Sequence, residues 1–260
     1  HREGGYTYLG AAGDGLSAEP DIDGSYFLNS FSWTILSGIA DEEQIGTMLD
    51  QVEAHLKTDA GLKLCTNIRY ELLGANTATS LYFSGDRENG GVFKHAAMMA
   101  AAASLRAAKT VTGIALAKRL KDLAFYMIEK TLPYHTIKTP YETKGNPRFC
   151  TQYNNSETGE NIGPILSGTA SWLTLVVFEM FGFEQKDGIL RFSPVLRGGT
   201  RMSYRLNLDR DGTALSVEIE SRDGAFRVSG KTVFELDGDP CSDTIPMPRD
   251  KKEHVLKISL

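Results

Sequence analysis

The sequence contains few cysteines, which excludes several classes of protein. Only three of its 260 residues are cysteine, and Cys65, Cys150 and Cys241 are odd in number and widely spaced. They fit neither a disulfide framework nor a cluster of metal ligands. We therefore expect a reducing compartment, the cytoplasm, and neither a metal site nor a cofactor.

Long apolar runs, basic runs and common cofactor motifs are also missing. No apolar run reaches the roughly 18 residues that span a bilayer, and no signal peptide is visible. The net charge is −5, so neither nucleic acid nor a membrane is an expected partner. The sequence has no P-loop, dinucleotide fingerprint, HExxH or G-x-S-x-G motif, which argues against the enzyme classes that carry them.

The first 184 residues carry helical patterns. The chain opens at His1 without a methionine, and we expect it to be a piece of a longer polypeptide. Asp41 is a predicted N-cap, and an alanine-rich stretch from about Val92 predicts an inner, closely packed helix. Residues 165–181 are apolar on nearly every side, which predicts a buried helix that ends at Gly182.

Residues 185–260 carry a different pattern, in which apolar residues alternate with polar ones. Short predicted strands are separated by the turn signals Asp211-Gly212, Asp223-Gly224 and Asp237-Gly238. This spacing is typical of a small antiparallel β domain. The chain is therefore predicted to be mainly α with a β tail.

The first of two polar segments, residues 85–95, reads GDRENGGVFKH. Its paired glycines permit a ligand to approach the backbone, and Glu88, Lys94 and His95 fall close together. An ordinary helix start, with Glu88 near the helix dipole and His95 in the core, explains the same pattern.

The second polar segment, residues 146–161, leads to Ser167-Gly168-Thr169. Gln152 and Tyr153 are suited to hydrogen bonding and stacking with a sugar, and hydroxyls and amides at a helix start bind anions. A solvated loop with ordinary capping residues explains the pattern equally well. Taken alone, the residues favour a polar cleft for a neutral polyol or sugar.

Two motifs in these segments resemble a known family. ENGGVFKHA, followed further along the chain by LSGTASW, resembles glycoside hydrolase family 94, whose usual forms are close to ENGG-[IV]-F-x-H and WLTGTAAW. These enzymes are inverting phosphorylases of β-linked glucosides, such as cellobiose phosphorylase. RENGGVFKHAAMMA and NPRFCTQYNNSETGENIGP look most like the 1,2-β-oligoglucan phosphorylase branch. The resemblance implies the C-terminal part of an (α/α)6 barrel followed by a small antiparallel β domain.

The resemblance also implies residue roles. His95, Ser167, Gly168 and Thr169 would bind phosphate, with Ser167 standing where the family usually has threonine. The acceptor sugar would contact Glu88 and Gln152, with Tyr153 as a sugar platform.

The family's general-acid aspartate has no counterpart in this chain. The sequence shows about five helices, whereas a closed barrel needs twelve. We therefore expect no catalytic residue here and an N-terminal remainder of the same enzyme as partner. The resemblance also implies a homodimer. The expected reaction cleaves β-linked gluco-oligosaccharides with inorganic phosphate to give α-glucose 1-phosphate.

Two other functions are consistent with the residues. One is an inverting hydrolase with Glu88 as acid and Glu157 or Glu160 as base. The other is a non-catalytic sugar-binding fragment.

Overall fold

A computed structural model describes residues 26–67, 82–136, 143–145, 150–163, 167–222 and 232–260. The chain divides into two compact units. Unit 1 comprises His1–Ala107 and Lys118–Val176, and unit 2 comprises Ala108–Ala117 and Val177–Leu260. This division differs from the boundary predicted between residues 184 and 185, because unit 2 includes the ends of three helices.

Six helices are described, and unit 1 holds most of their residues. One prediction is confirmed in detail: the Asp41 carboxylate accepts the Gln44 N–H at 2.8 Å, and the Gln44 side chain accepts the Asp41 N–H at 3.0 Å. This reciprocal capping box satisfies two backbone donors that a helix start leaves unpaired. The helices are α1 (Leu28–Leu36), α2 (Glu42–His55), α3 (Lys94–Thr110), α4 (Ile114–Thr131), α5 (Pro133–Thr136) and α6 (Ser167–Phe181).

Helix α3 is the alanine-rich helix, and its prediction as an inner helix is confirmed. Its alanines are at most 2% exposed, and Met98 and Leu105 are fully buried. Small side chains let neighbouring backbones approach closely, so the alanine run buries a helix with little side-chain bulk.

Helix α6 contradicts the prediction that it is buried. Leu175 is 45% and Phe178 is 59% exposed, and Trp172 lies edge-on to Trp33, which is itself 56% exposed. Within the described part of the chain, an apolar face of this helix remains open to solvent. A helix that is apolar on every side favours burial on every side. The pattern does not show whether other elements are present to cover each side. The predicted end is confirmed, since Gly182 has φ +61° and donates to Phe178 O at 2.9 Å.

Short strands join the loops of unit 1, and none of them was predicted. β1 (Lys57–Thr58) pairs with β2 (Gly61–Leu62). β3 (Val92–Phe93), β4 (Tyr153–Asn154) and β5 (Asn161–Ile162) form a three-stranded antiparallel sheet in that order. Strands of two residues carry no readable alternation, so only the tertiary structure reveals them.

Unit 2 contains two sheets around one apolar core. The strands are β6 (Phe183–Lys186), β7 (Ile189–Phe192), β8 (Thr200–Asn207), β9 (Ala214–Ser221), β10 (Val233–Leu236), β11 (Asp239–Cys241), β12 (Thr244–Pro246) and β13 (Glu253–Ser259). A three-stranded sheet has the order β12-β7-β6, and a five-stranded sheet has the order β11-β10-β13-β9-β8. Phe192, Val217 and Leu256 are among the fully buried core side chains.

The prediction of a purely antiparallel β domain is wrong for one pair, because β13 runs parallel to β9. Turn signals identify partners that are neighbours in sequence and say nothing about a distant strand returning to the sheet. The turn at Asp237-Gly238 is confirmed: it joins β10 to β11, with φ +54° and +94°. The predicted turn at Asp223-Gly224 lies outside the described residues.

No helix among the described residues has both the length and the apolar character that crossing a membrane requires.

Candidate functional site

The sheet β3-β4-β5 brings the two polar segments together. Phe93 lies opposite Tyr153 in the β3–β4 pairing, and the Lys94 N–H donates to Gln152 O at 3.1 Å. His95 follows Lys94 in the first turn of α3. Candidate residues from two distant parts of the sequence therefore share one neighbourhood.

A tight loop at residues 84–91 precedes β3. The Gly85 N–H donates to Asn89 O, and the Gly91 N–H donates to Arg87 O, both at 2.8 Å. Arg87 has φ +45°, and a Cβ at Gly91 would lie 2.6 Å from the Arg87 backbone nitrogen. The loop therefore requires glycine at position 91.

Three contacts hold this loop against residues 155–157. The Ser156 N–H donates to Gly85 O at 3.0 Å, and Asn155 Nδ2 donates to Asp86 Oδ1 at 2.6 Å. Ser84 Oγ donates to Glu157 Oε1 at 2.6 Å. Both backbone and side chains thus fix the relative position of the two polar segments.

His95 lies beside the first turn of helix α6. A Cβ at Gly168 would lie 3.4 Å from His95 Cβ, an ordinary van der Waals distance, so the histidine packs beside the α6 backbone. The imidazole packs edge-on against Phe93, with ring centroids 5.6 Å apart. Burial lowers the pKa of His95, so the ring is mainly neutral at pH 7.

Thr169 adds an unpaired hydroxyl to this turn. The residue is 2% exposed, and its Oγ1 has no hydrogen-bond partner among the described residues. Ser167 is the first residue of α6, and its side chain lies outside the described part. The first N–H groups of a helix also lack intrahelical partners. His95, Thr169 and the first turn of α6 therefore lie in one part of unit 1.

Glu88 presents its side chain to solvent from the loop before β3. Its backbone carbonyl accepts a hydrogen bond from Cys65 Sγ at 3.1 Å, which anchors the residue. The Glu88 charge contributes to raising the pKa of Tyr153, after the larger effect of burial, which places the carboxylate within electrostatic reach of that phenol. Glu88 is thus fixed through its backbone and available through its side chain.

Gln152 and Tyr153 have different surroundings. Gln152 is half-buried, and a Cβ at Gly163 would lie 2.8 Å from its Oε1. Tyr153 is 2% exposed and stacks on Phe93, with ring centroids 5.2 Å apart. The Tyr153 ring offers no open face here, so this arrangement does not support its role as a sugar platform.

Arg87 is a candidate that the sequence reasoning missed. Its guanidinium lies 5.3 Å from the ring centroid of Tyr82 and 5.7 Å from that of Tyr153, while the residue remains exposed. Interaction with Tyr153, and then with Tyr82, raises the pKa of Arg87. Its position next to Glu88 in the motif is the signal that would have identified it.

Lys94 was noted in the sequence, but its burial was not foreseen. The residue is 1% exposed, and its Nζ donates to Asn161 Oδ1 at 2.9 Å. Thr151 Oγ1 donates to the same oxygen at 2.8 Å. Burial lowers the pKa of Lys94 to about 8. Its partner lies 67 positions away, so no local signal could have revealed the contact.

The two glutamates considered as hydrolytic bases are already engaged. Glu157 accepts from Ser84, and Glu160 forms an ion pair with Lys144. Both carboxylates hold loops in place. In the residues that the structure covers, no group of three or more His, Cys, Asp or Glu side chains is arranged to hold a metal ion.

This geometry gathers a half-buried histidine, the start of a helix and two polar loop segments in one part of unit 1. The sequence model of the Glycosyl hydrolase 94 superfamily, catalytic domain, matches residues 5–181. The match covers well over half of the chain, so the chain belongs to this family, as the two motifs predicted.

Two characterised relatives are phosphorylases. The chain is 27% identical over 237 residues to 3-O-beta-D-glucopyranosyl-beta-D-glucuronide phosphorylase of Paenibacillus borealis, covering 87% of this chain and 27% of that protein. It is 29% identical over 180 residues to cellobionic acid phosphorylase of Neurospora crassa, covering 65% of this chain and 21% of that protein. The chain thus spans about a quarter of the length of these relatives.

Proposed function

We propose that this chain supplies the phosphate-binding and acceptor-sugar side of an inverting phosphorylase site. The observation that carries the proposal is the position of His95 against Gly168, beside the buried, unpaired hydroxyl of Thr169. Phosphate is a compact anion with several acceptor oxygens, which suits these donors and the α6 amides. The family resemblance extends the proposal to Ser167, the first residue of α6.

The proposed reaction is a variant of inverting glycoside cleavage, in which phosphate replaces the activated water. A phosphate oxygen forms a bond to the anomeric carbon while the bond from that carbon to the glycosidic oxygen breaks. A general acid donates a proton to the departing oxygen. We assign no acid in this chain and expect an aspartate contributed by an N-terminal remainder. The products are α-glucose 1-phosphate and a shortened sugar.

The substrates that we propose are β-1,2-linked gluco-oligosaccharides. The branch-like segments around Glu88 and Gln152 support this choice, and the pairing of β3 with β4 brings the segment of Gln152 next to the start of α3.

An acidic acceptor sugar is the second candidate. The names of both relatives include an acidic sugar, a glucuronide and cellobionic acid. Arg87 presents an exposed guanidinium beside Glu88, and guanidinium groups bind carboxylates in bidentate geometry. An acceptor that carries a carboxylate would use this cation.

The inverting hydrolase has less support, because its candidate bases Glu157 and Glu160 are engaged by Ser84 and Lys144. The non-catalytic sugar-binding fragment remains a distinct outcome of the assays below.

We also propose that unit 1 is the C-terminal part of an (α/α)6 barrel. The buried alanines of α3 and the open apolar face of α6 support packing against further helices. A homodimer and a cytoplasmic location complete the proposal, and the free thiols of the three cysteines support the latter.

Phosphate binding is tested on the 260-residue chain itself. Inorganic phosphate is titrated into protein with ¹⁵N-labelled histidine, and the ring signals of His95 and His254 are followed by NMR. We expect a saturable shift of the His95 signals with those of His254 unchanged, and loss of saturable binding by calorimetry in His95→Ala. Unchanged His95 signals at millimolar phosphate would overturn the proposed phosphate site.

Turnover is tested by phosphate release from α-glucose 1-phosphate with sophorose, cellobiose or cellobionic acid as acceptor. The assay uses this chain and the longer polypeptide that we expect to contain it. Release with sophorose supports the β-1,2 linkage, and release with cellobiose keeps the activity but changes the linkage. Release with cellobionic acid that disappears in Arg87→Leu supports the acidic acceptor. Oligosaccharide binding without release would favour the sugar-binding fragment, and sugar cleavage in phosphate-free buffer would favour the hydrolase.

A further inference from the structure

The buried ammonium of Lys94 has no carboxylate partner in the described part of the chain. The titratable group that interacts with it is the Cys150 thiol, whose pKa burial raises, so that thiol carries no charge at pH 7. The Lys94 Nζ donates to a neutral amide oxygen, that of Asn161, at 2.9 Å. A buried charge without an ionised partner is costly, and the lowering of the Lys94 pKa to about 8 reflects that cost. A methionine or leucine would fill the same space without this penalty, so the lysine requires an explanation.

Asn161 connects this ammonium to three other parts of unit 1. Its Oδ1 also accepts from Thr151 Oγ1 at 2.8 Å, and its Nδ2 donates to Thr143 O at 2.8 Å. Asn161 and Thr151 are each 6% exposed, so water does not compete for these bonds. The buried network therefore joins the start of α3, the segment before β4, strand β5 and the segment at Thr143.

The backbone of Lys94 is tied to the candidate site at the same time. Its N–H donates to Gln152 O at 3.1 Å, and the next residue in the chain is His95. A shift of Lys94 would therefore displace the phosphate candidate and the sugar candidate together.

We propose that Lys94 is a positioning residue: through Asn161 and Thr151 it fixes the first turn of α3 against β4 and β5, and so sets the place of His95 relative to α6. This role rests on the proposed function, in which His95 binds phosphate. Lys94 does not touch the reacting groups in this scheme. It acts through its neighbours.

The test reads the state of His95 in the whole chain, first without phosphate. The ring pKa of His95 is measured by ¹⁵N NMR in the wild type and in Lys94→Met. Burial holds this pKa below its ordinary value, so a loosened α3 start would let water reach the ring and raise the pKa towards about 6.5. Lys121→Met is the matched control, because Lys121 is a second buried lysine (7% exposed), located on α4.

We expect the His95 pKa to rise in Lys94→Met and to remain at the wild-type value in Lys121→Met. The dissociation constant for inorganic phosphate should increase about tenfold in Lys94→Met, comparable to the loss of one charge-assisted hydrogen bond. A folded Lys94→Met protein with wild-type His95 titration would overturn the positioning role. If the wild type binds no phosphate, the proposed function fails, while the phosphate-free titration still decides the role of Lys94.

Thr151→Val gives a milder second variant in case Lys94→Met does not fold. It removes one of the two donors to Asn161 Oδ1 and preserves side-chain shape. A smaller rise in the His95 pKa supports the network, and an unchanged His95 titration in a folded Thr151→Val protein contradicts it.

Discussion

The two units bury polar groups very differently. Among the described residues, every buried asparagine and lysine belongs to unit 1, whereas the buried polar residues of unit 2 are Ser193, Thr213 and Ser221. In unit 2 the charged residues of β8, β9 and β13 lie on the exposed face of the sheet, and its core is apolar.

This difference teaches where to look for function. An apolar core with ion pairs at the surface stabilises a fold and provides no buried polar group for a ligand. Burying Lys94, Asn154, Asn155 and Asn161 costs desolvation, which only well-aligned partners offset. The part of the fold that carries this cost is the part that holds the family motif.

The largest expected effect comes from breaking the buried network of unit 1. Asn161→Leu removes the acceptor of Lys94 and Thr151 and the donor to Thr143 O. It leaves a buried ammonium without a partner, and we expect the free energy of unfolding to fall by about 3 kcal/mol. Urea unfolding measures the change. Asn207→Leu on the exposed edge of β8 is the control and should unfold almost like the wild type. Equal losses in the two variants would show that burial does not distinguish the units.

A smaller loss is expected from Gly91→Ala in the loop before β3. The new Cβ would lie 2.6 Å and 2.7 Å from the backbone N and O of Arg87, and backbone cannot rotate away. We expect a loss of about 2 kcal/mol, together with displacement of the neighbouring Glu88. Thermal unfolding and acceptor binding would report the two effects.

Gly199→Ala is the matched variant in unit 2. Gly199 has φ +74°, but no atom lies within 4 Å of the place that a Cβ would take, so only conformational strain of about 1 kcal/mol applies. If the Gly91 variant were as stable as the Gly199 variant, the loop before β3 would have space for a Cβ at position 91, contrary to this prediction.

The pH dependence of stability is expected to reveal a third, smaller effect, located in unit 2. His254 Nδ1 lies 2.7 Å from Asp237 Oδ2, and its Nε2 lies 2.9 Å from Asp250 Oδ1. These contacts raise the pKa of His254, with the Asp237 hydrogen bond as the main cause, and lower the pKa of both carboxyls. Protonated histidine donates to both aspartates, whereas neutral imidazole can donate to only one.

The direction of the pH effect follows from these shifts. The His254 contribution is complete below its unfolded pKa of about 6.5 and disappears as the pH rises through the raised folded value. The aspartate contribution is present above about pH 3.9 and disappears as the pH falls through the lowered folded values. We expect His254→Gln to reduce Tm by roughly 2 °C at about pH 5.5 and by less at about pH 8.5. A Tm difference that does not depend on pH would contradict the ion pairing.

The smallest effect is expected on the open face of the five-stranded sheet. Arg201 Nη2 lies 3.0 Å from Glu220 Oε1, and the arginine side chain is 81% exposed. Exposed ion pairs contribute little, because water and salt screen them. Arg201→Gln should leave Tm unchanged within error at about 0.15 M salt. A clear decrease would show that the surface of unit 2 also carries structural charge pairs.

Sequence reasoning succeeded where the determining signal was local. The Asp41 cap, the alanine-rich α3, the Gly182 stop and the Asp237-Gly238 turn each depend on a few adjacent residues. The two motifs also identified the family, because they record chemistry rather than packing.

It failed where the outcome depends on distant partners. The pairing of β13 with β9, the two-residue strands and the contact of Lys94 with Asn161 join segments far apart in the sequence. The prediction that α6 is buried on every side was wrong for the same reason, because burial depends on which elements pack against the helix. For the site, the sequence identified His95, Glu88, Gln152 and the Ser167-Gly168-Thr169 turn as candidates. It could not predict the hydrogen bonds of Lys94 and Thr151 to Asn161, or the burial of the Tyr153 ring.

The contact between Cys65 and Glu88 makes the Cys65 thiol a probe of local opening near the candidate site. Cys65 is fully buried, whereas Cys150 and Cys241 are partly accessible, so a thiol reagent reaches Cys65 only when the segments around it open, among them the loop that bears Glu88. The alkylation rate of this one thiol, followed by mass spectrometry, therefore measures how often these segments open. The slowing of that rate by a bound sugar would measure how strongly the sugar holds them closed.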